Sequence, residues 1–143
     1  MILYPSYINA SDGLLNMEYN HLVSGCHFGI FPSYYEPWGY TPLECAAHGV
    51  PSITTDLAGF GRFVRKTVKE EPGIYVIDRQ KKTYDEVVDQ IFEKLYWFTN
   101  LKKNERIKEK EKAEHFVPYC DWGNLAINYI KAYNLAVTKM KTA

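Results

Sequence analysis

Through its first 80 residues the chain alternates between short apolar runs and segments of helical spacing. The runs are MILYP at 1–5, HFGIFPS at 27–33, PSITT at 51–55 and GIYVI at 73–77. Each is short, rich in β-branched or aromatic residues, and bounded by Pro, Gly or Ser, as strands are. Between them LNMEYNHLVSGC (15–26) reads as a helix, with Leu15, Tyr19, Leu22 and Val23 near one face and Gly25 at its end. TPLECAAHGV (41–50) reads as a second helix, with Thr41 as N-cap, Pro42 at the first helical position and Gly49 closing it. GFGRFVRKTV (59–68) reads as a third, short one. Strand and helix alternating over short connections imply parallel strands with right-handed crossovers. The expected fold is a doubly wound, Rossmann-like α/β sheet flanked by helices.

Past residue 80 the pattern turns to helices only. Tyr84, Val87, Val88, Ile91, Leu95 and Phe98 recur at helical spacing between Thr83 and Asn100. LKKNERIKEKEKAEHF (101–116) mixes charges of both signs, the pattern of a solvated helix. Asp121 can cap a last helix that carries Leu125, Tyr129, Ile130, Tyr133 and Val137 on or near one face. One partial domain is expected, with a βα part at 1–80 and helices at 81–143. Met1 runs straight into a strand-like segment, which reads as a piece of a larger protein.

Composition narrows the classes of function. Lys plus Arg and Asp plus Glu are 17 each, so nothing global attracts nucleic acid or an anionic membrane. Cys26, Cys45 and Cys120 are odd in number and contain no C-x-x-C, which argues for free thiols rather than disulfides or zinc. His21, His27, His48 and His115 form no metal-ligand pattern. No apolar run has the ~18 residues of a membrane span. Asn9-Ala10-Ser11 matches a glycosylation acceptor, but without a signal peptide it reads as a turn. A cytoplasmic protein is expected.

The segment PSYYEPWGYTPLE (32–44) leaves the second run and enters a helix N-terminus. It is too long and too aromatic to be a plain connector. In an open parallel sheet, ligands bind at the carboxyl ends of strands. The free N–H groups and positive dipole end of a helix start make a seat for phosphate. Gly39 lets a ligand approach the backbone, and Pro37 and Pro42 stiffen the loop. Glu36 and Glu44 can face the same crevice and accept hydrogen bonds from sugar hydroxyls. A phosphate seat between two hydroxyl acceptors suits a nucleotide-sugar. The same loop also fits a packed corner, with Glu44 a surface residue favoured by the dipole.

Seven residues separate Glu36 from Glu44, the E-x7-E pattern of retaining glycosyltransferases built from two Rossmann-like domains, the GT-B fold. GCHFGIFPSYYEPWGYTPLECAAHGVPSITTDLAGFG closely resembles the corresponding run of animal and fungal glycogen synthases, as do GIYVIDR and DWGNLAINYIKAYNLA. The resemblance covers nearly the whole chain. It implies the donor-binding C-terminal half of such an enzyme, which transfers glucose from UDP-glucose to the 4-hydroxyl of an α-1,4-glucan.

By that similarity Glu36 would be the catalytic residue beside the donor glucose and would bond its hydroxyls. Front-face attack through an ion-pair-like intermediate is the mechanism usually proposed for the family. The amides of Trp38 and Gly39 would bond glucose hydroxyls. Those of Tyr40 and Thr41, with the Thr41 hydroxyl, would hold the pyrophosphate. Glu44 would accept both ribose hydroxyls, and Tyr19 would stack on uracil. Its other reading is a core tyrosine on a helix face. Gly59 and Gly61 would form a turn near the crevice.

The resemblance implies no cofactor and no metal, with the helix dipole and basic side chains stabilising the leaving diphosphate. It places those basic side chains and the α-glucan acceptor site outside this segment, so the segment alone would be inactive. Arg62, Arg65 and Lys66 read as solvated charges rather than substitutes. It also allows a homo-oligomeric parent enzyme, and a final helix that crosses back to another domain. The family's arginine-rich helix for glucose 6-phosphate corresponds here to KKNERIKEKEKAEH, where Lys103, Arg106 and Lys110 share a face but glutamates intervene. The rival readings are a retaining transferase using ADP-glucose or another nucleotide-sugar, and a non-catalytic nucleotide- or glucan-binding module. A dinucleotide-binding dehydrogenase is disfavoured because G-x-G-x-x-G is absent.

Overall fold

The computed structural model describes residues 3–142, with the side chains of 141 and 142 left out. Three strands form the sheet: β1 (Gly29–Ile30), β2 (Ser52–Thr55) and β3 (Ile74–Ile77). They lie in the order β1-β2-β3, all parallel. The register sets Ile53 between Ile30 and Tyr75. The connections are α2 (Tyr40–Ala47), preceded by a long loop, and α3 (Gly59–Thr67).

β2 is central, and all four of its residues are buried. β3 shows how the sheet is sandwiched. Ile74 joins Ala46, Phe60, Val64, Ala113 and Phe116 in a cluster fed by α2, α3 and α5 (Lys103–Phe116). Tyr75 and Ile77 join Ile53 and Val87 in a second cluster, covered by α4 (Tyr84–Asn100) through Ile91 and Leu95. Alternate residues of one strand thus feed opposite layers, as the pleat dictates. Burying a side chain such as Phe60 or Phe116 stabilises by about 1.5–3 kcal/mol. Helices cover both faces, as the alternating pattern predicts.

Two local devices fix the helical half. Thr83 Oγ1 accepts from the Glu86 amide at 3.3 Å, and Glu86 Oε2 accepts from the Thr83 amide at 2.8 Å, a reciprocal cap that starts α4. Gln90 then exchanges two hydrogen bonds with the Asp78 backbone, at 3.0 and 2.9 Å, holding α4 to the end of β3. The buried Tyr75 hydroxyl reaches α5, donating to Glu109 Oε2 at 2.6 Å, and Lys112 Nζ donates to Oε1 at 2.7 Å. Burial, and then Glu109, push the Tyr75 hydroxyl far above its ordinary pKa. Gly73 (φ 72°) lets α5 sit this close, since a Cβ there would lie 2.4 Å from the Glu109 carbonyl oxygen.

Several expectations are corrected. MILYP is not a strand over its described residues: Met1 and Ile2 lie outside them, and Leu3–Pro5 are irregular with Leu3 85% exposed. The first helix, α1 (Tyr19–Gly25), starts four residues later than expected. The cause is Asp12, whose Oδ1 accepts from the amides of Leu14, Leu15 and Asn16 at 2.8–3.1 Å, winding that stretch into a loop with Asn16 at φ 50°. Leu15 is therefore exposed rather than on the helix. In the same loop the Asn9 side chain accepts from the Ser11 amide at 2.9 Å, so that tripeptide is a turn.

HFGIFPS contributes only two residues to the ladder, because Pro32 ends it and its far edge has no neighbouring strand among the described residues. The last helix, α6 (Trp122–Thr142), does start after Asp121, whose Oδ1 accepts from the Gly123 amide at 2.6 Å. Leu125 is half-buried, but Tyr129, Ile130, Tyr133 and Val137 stay exposed among the described residues.

Candidate functional site

The loop between β1 and α2 is held from three sides. Thr55 Oγ1, at the end of β2, donates to the Ser33 carbonyl at 2.9 Å. Arg79, just past β3, donates from its guanidinium to the Pro32 carbonyl at 3.2 Å and lies 3.3 Å from the centre of the Tyr34 ring. The start of α3 makes the third attachment. Glu36 bridges Ala58 as a short parallel β contact, the Gly59 amide donates to the Glu36 carbonyl at 3.0 Å, and the Phe60 amide donates to the Trp38 carbonyl at 2.7 Å. The Trp38 ring packs on Phe60 and Phe63, at centroid distances of 5.8 and 5.4 Å. With Tyr40, Leu43, Trp122 and Tyr129 it lines a cavity of about 450 Å³ between α2, α3 and α6. The tryptophan side chain is thus an anchor, and its backbone lines the turn.

That turn differs from the sequence expectation. Gly39, not Thr41, is the N-cap of α2, with φ 105° and ψ 84°. Only glycine occupies this region without strain. The helix therefore begins at Tyr40, and Pro42 is its third residue rather than its first. Proline is tolerated there because the first three amides of a helix have no intrahelical acceptor. No side chain caps this end. The amides of Trp38, Gly39, Tyr40 and Thr41 donate to no acceptor among the described residues. Four consecutive N–H groups at a positive dipole end are thereby available.

The two glutamates flank this turn. Glu36 is half-buried, with its Cγ 3.3 Å from where a Gly39 Cβ would stand, and its carboxylate has no partner among the described residues. Glu44 is the fifth residue of α2, and its Oε2 accepts from the Tyr19 hydroxyl at 2.9 Å. Burial first, and then Glu44, push the Tyr19 hydroxyl up to about 12. The Tyr19 ring packs beside Val23, Cys45 and Val50, so it is partly core and partly open. A second contact, Ser24 Oγ to His48 Nδ1 at 3.0 Å, ties the other end of α1 to the end of α2.

The glycogen synthase family model matches residues 1–142. The chain belongs to the glycogen synthase family. Isoform 2 of glycogen [starch] synthase from Saccharomyces cerevisiae is 40% identical over 143 residues, covering 97% of this chain and 20% of that protein. Liver glycogen [starch] synthase from Mus musculus is 40% identical over 141 residues, with the same coverage. Glycogen [starch] synthase from Neurospora crassa is 37% identical over 141 residues, again with 97% and 20% covered. The chain spans about a fifth of the length of the curated relatives it matches.

Within this glycogen synthase segment the expected site residues come together. Glu36, Trp38, Gly39, Tyr40 and Thr41 share one turn, and Glu44 and Tyr19 meet at its edge. Gly59 and Gly61 do not form a turn. They sit in the first turn of α3, where a Cβ would lie 2.1 Å from the Pro37 and Thr55 carbonyl oxygens respectively. They are glycines because backbone passes so close. Arg62 and Arg65 are not merely solvated: Arg62 Nε donates to the Asp56 carbonyl at 2.7 Å, and Arg65 pairs with Asp78 at 2.6 Å. On α5, Lys103 is exposed and Arg106 and Lys110 are half-buried.

Sequence reasoning missed Arg79, Thr55 and Asp56. Asp56 Oδ1 accepts from the Arg79 and Gln80 amides at 2.8 and 3.2 Å, which aims the arginine back across the strand ends. The signal was present as an arginine two residues after a strand-like run in GIYVIDR. Among the described residues no group of three His, Cys, Asp or Glu could hold a metal, and no helix is long and apolar enough to cross a membrane.

Proposed function

We propose that this chain forms the donor-binding part of a retaining glucosyltransferase. The full enzyme moves glucose from UDP-glucose to the 4-hydroxyl at the non-reducing end of an α-1,4-glucan. The observation that carries this reading is the run of four unpaired amides, from Trp38 to Thr41, between Glu36 and Glu44. The amides of Tyr40 and Thr41 and the Thr41 hydroxyl take the diphosphate, where the helix dipole favours the developing negative charge. The amides of Trp38 and Gly39, with the Glu36 carboxylate, take the glucose hydroxyls. Glu44 accepts from the ribose hydroxyls, and the open side of the Tyr19 ring stacks on uracil.

In the reaction the bond from glucose C1 to the phosphate oxygen breaks and a bond to the acceptor O4 forms on the same face. The acceptor proton passes to the departing diphosphate. Glu36 orients the glucose through this step, and no metal or cofactor takes part. Basic side chains for the diphosphate and the acceptor site come from outside this chain, so the 143-residue segment by itself does not turn over substrate. The enzyme works in the cytoplasm.

The test is glucose incorporation into glycogen by the protein in its natural length. UDP-glucose should support incorporation and ADP-glucose should not. Glu36→Gln should abolish turnover while UDP still binds. Equal use of the two donors, or full activity of Glu36→Gln, would overturn the reading.

A further inference from the structure

The hydrogen bond between Tyr19 and Glu44 joins two residues that the proposed function assigns to separate tasks. The hydroxyl donates to Glu44 Oε2 at 2.9 Å, across 25 residues of sequence. Glu44 is exposed on α2, and a free glutamate there would sample many rotamers. Tyr19 is not free to follow it. Its ring is packed against the Val23, Cys45 and Val50 cluster, and α1 is tied again to α2 by Ser24 and His48 at 3.0 Å. The hydroxyl is therefore a fixed donor, and the carboxylate must come to it. One oxygen is then held from the α1 side. Oε1, and the remaining lone pair of Oε2, stay available to outside donors.

We infer that Tyr19 is a positioning residue whose hydroxyl aims the Glu44 carboxylate at the vicinal ribose diol, so that discrimination for a ribonucleotide is built jointly by α1 and α2. This rests on the reading of Glu44 as the ribose acceptor, and it adds a second role for Tyr19, separate from stacking. The two roles use different atoms. A phenylalanine keeps the ring face and loses only the donor.

The experiment is a calorimetric titration of the natural-length protein and its Tyr19→Phe variant with uridine diphosphate and with 2′,3′-dideoxyuridine diphosphate. Wild type should bind the ribonucleotide more tightly. In Tyr19→Phe its affinity should fall about tenfold, the cost of ordering a glutamate side chain on binding rather than beforehand. Affinity for the dideoxy ligand should not change, which also reports that the fold and base contact are intact. On a Glu44→Ala background, Tyr19→Phe should have no further effect on either ligand. 4-Aminophenylalanine at position 19, which restores an N–H donor at the same place, should recover most of the preference.

Equal loss for both ligands, or no loss for either, would overturn the positioning role while leaving Glu44 as the ribose acceptor. A wild-type protein that binds both ligands equally would instead remove the ribose assignment itself, and the positioning role with it.

Discussion

Replacing Gly59 by alanine tests whether the loop carrying Glu36 is truly seated on α3. An added Cβ would lie 2.1 Å from the Pro37 carbonyl oxygen, 3.1 Å from its carbon and 3.2 Å from Trp38 Cα, all of them backbone. No rotamer change can relieve this. Restoring an ordinary carbon–oxygen contact of ~3.3 Å from 2.1 Å needs a separation of about 1.2 Å. That shift takes the Gly59-to-Glu36 and Phe60-to-Trp38 bonds, now 3.0 and 2.7 Å, beyond hydrogen-bond length. The Gly59 bond is worth about 1 kcal/mol net, and the buried Phe60 amide left without a partner costs ~1–3 kcal/mol.

The expected cost is therefore ~2–4 kcal/mol, localised at the junction of the loop with α3. Hydrogen exchange at the Phe60 amide should accelerate by roughly 30- to 1,000-fold, since each 1.4 kcal/mol is tenfold. Gly25→Ala is the control. It has open space around the new Cβ and an ordinary φ at the end of α1. It should be neutral, or stabilising by up to ~1 kcal/mol. A Gly59→Ala protein with wild-type exchange at Phe60 and an unchanged unfolding midpoint would refute the seating of the loop.

Other outcomes follow from the same geometry. Arg79→Met removes both the bond to Pro32 and the guanidinium over Tyr34, and should loosen residues 32–35 by ~2–4 kcal/mol in hydrogen exchange; Arg79→Lys should recover only part of this, lacking the planar fork. Glu86 is held at a pKa of about 2 by Lys82 first and then by the Thr83 amide. Its folded pKa is lower than its unfolded one, so its contribution is present above about pH 4.5 and is lost as pH falls towards 2. Glu86→Gln should flatten the dependence of stability on pH in that window. Burial pushes the Cys45 and Cys120 thiols up to about 11, whereas Cys26 is exposed. Under native conditions near neutral pH, maleimide should label Cys26 and spare the other two, as mass spectrometry of the digest would report.

The sequence was most legible where one rule decided the outcome. β2 and β3 are short β-branched runs between Pro or Gly and turns, and they appear as expected. The start of α4 follows from Thr83 with Glu86 three residues on. Residues 15–18 were misread as helix because one side chain, Asp12, captures three amides and overrides helical spacing. The E-x7-E spacing marked the candidate site, but not how its loop is held. Tyr19 with Glu44, and Arg79 with Pro32, are contacts across 25 and 47 residues that no local pattern encodes. Gly39 was recognised as a point of close approach, yet its role as the cap emerged only from its backbone angle. Gly59 and Gly61 were visible as glycines, but the reason for them lies in strands and loops elsewhere in the chain.

The bracing of the loop between β1 and α2 bears on motion. Thr55, Arg79 and the first amides of α3 attach it to three different elements of the sheet layer. Folding it aside would break all of these contacts together, unlike a lid that swings on two hinges. The proposed donor seat therefore travels with the sheet as one stiff block. On the proposed function, any opening and closing during turnover would fall to displacement of this block as a whole rather than to a rearrangement within it.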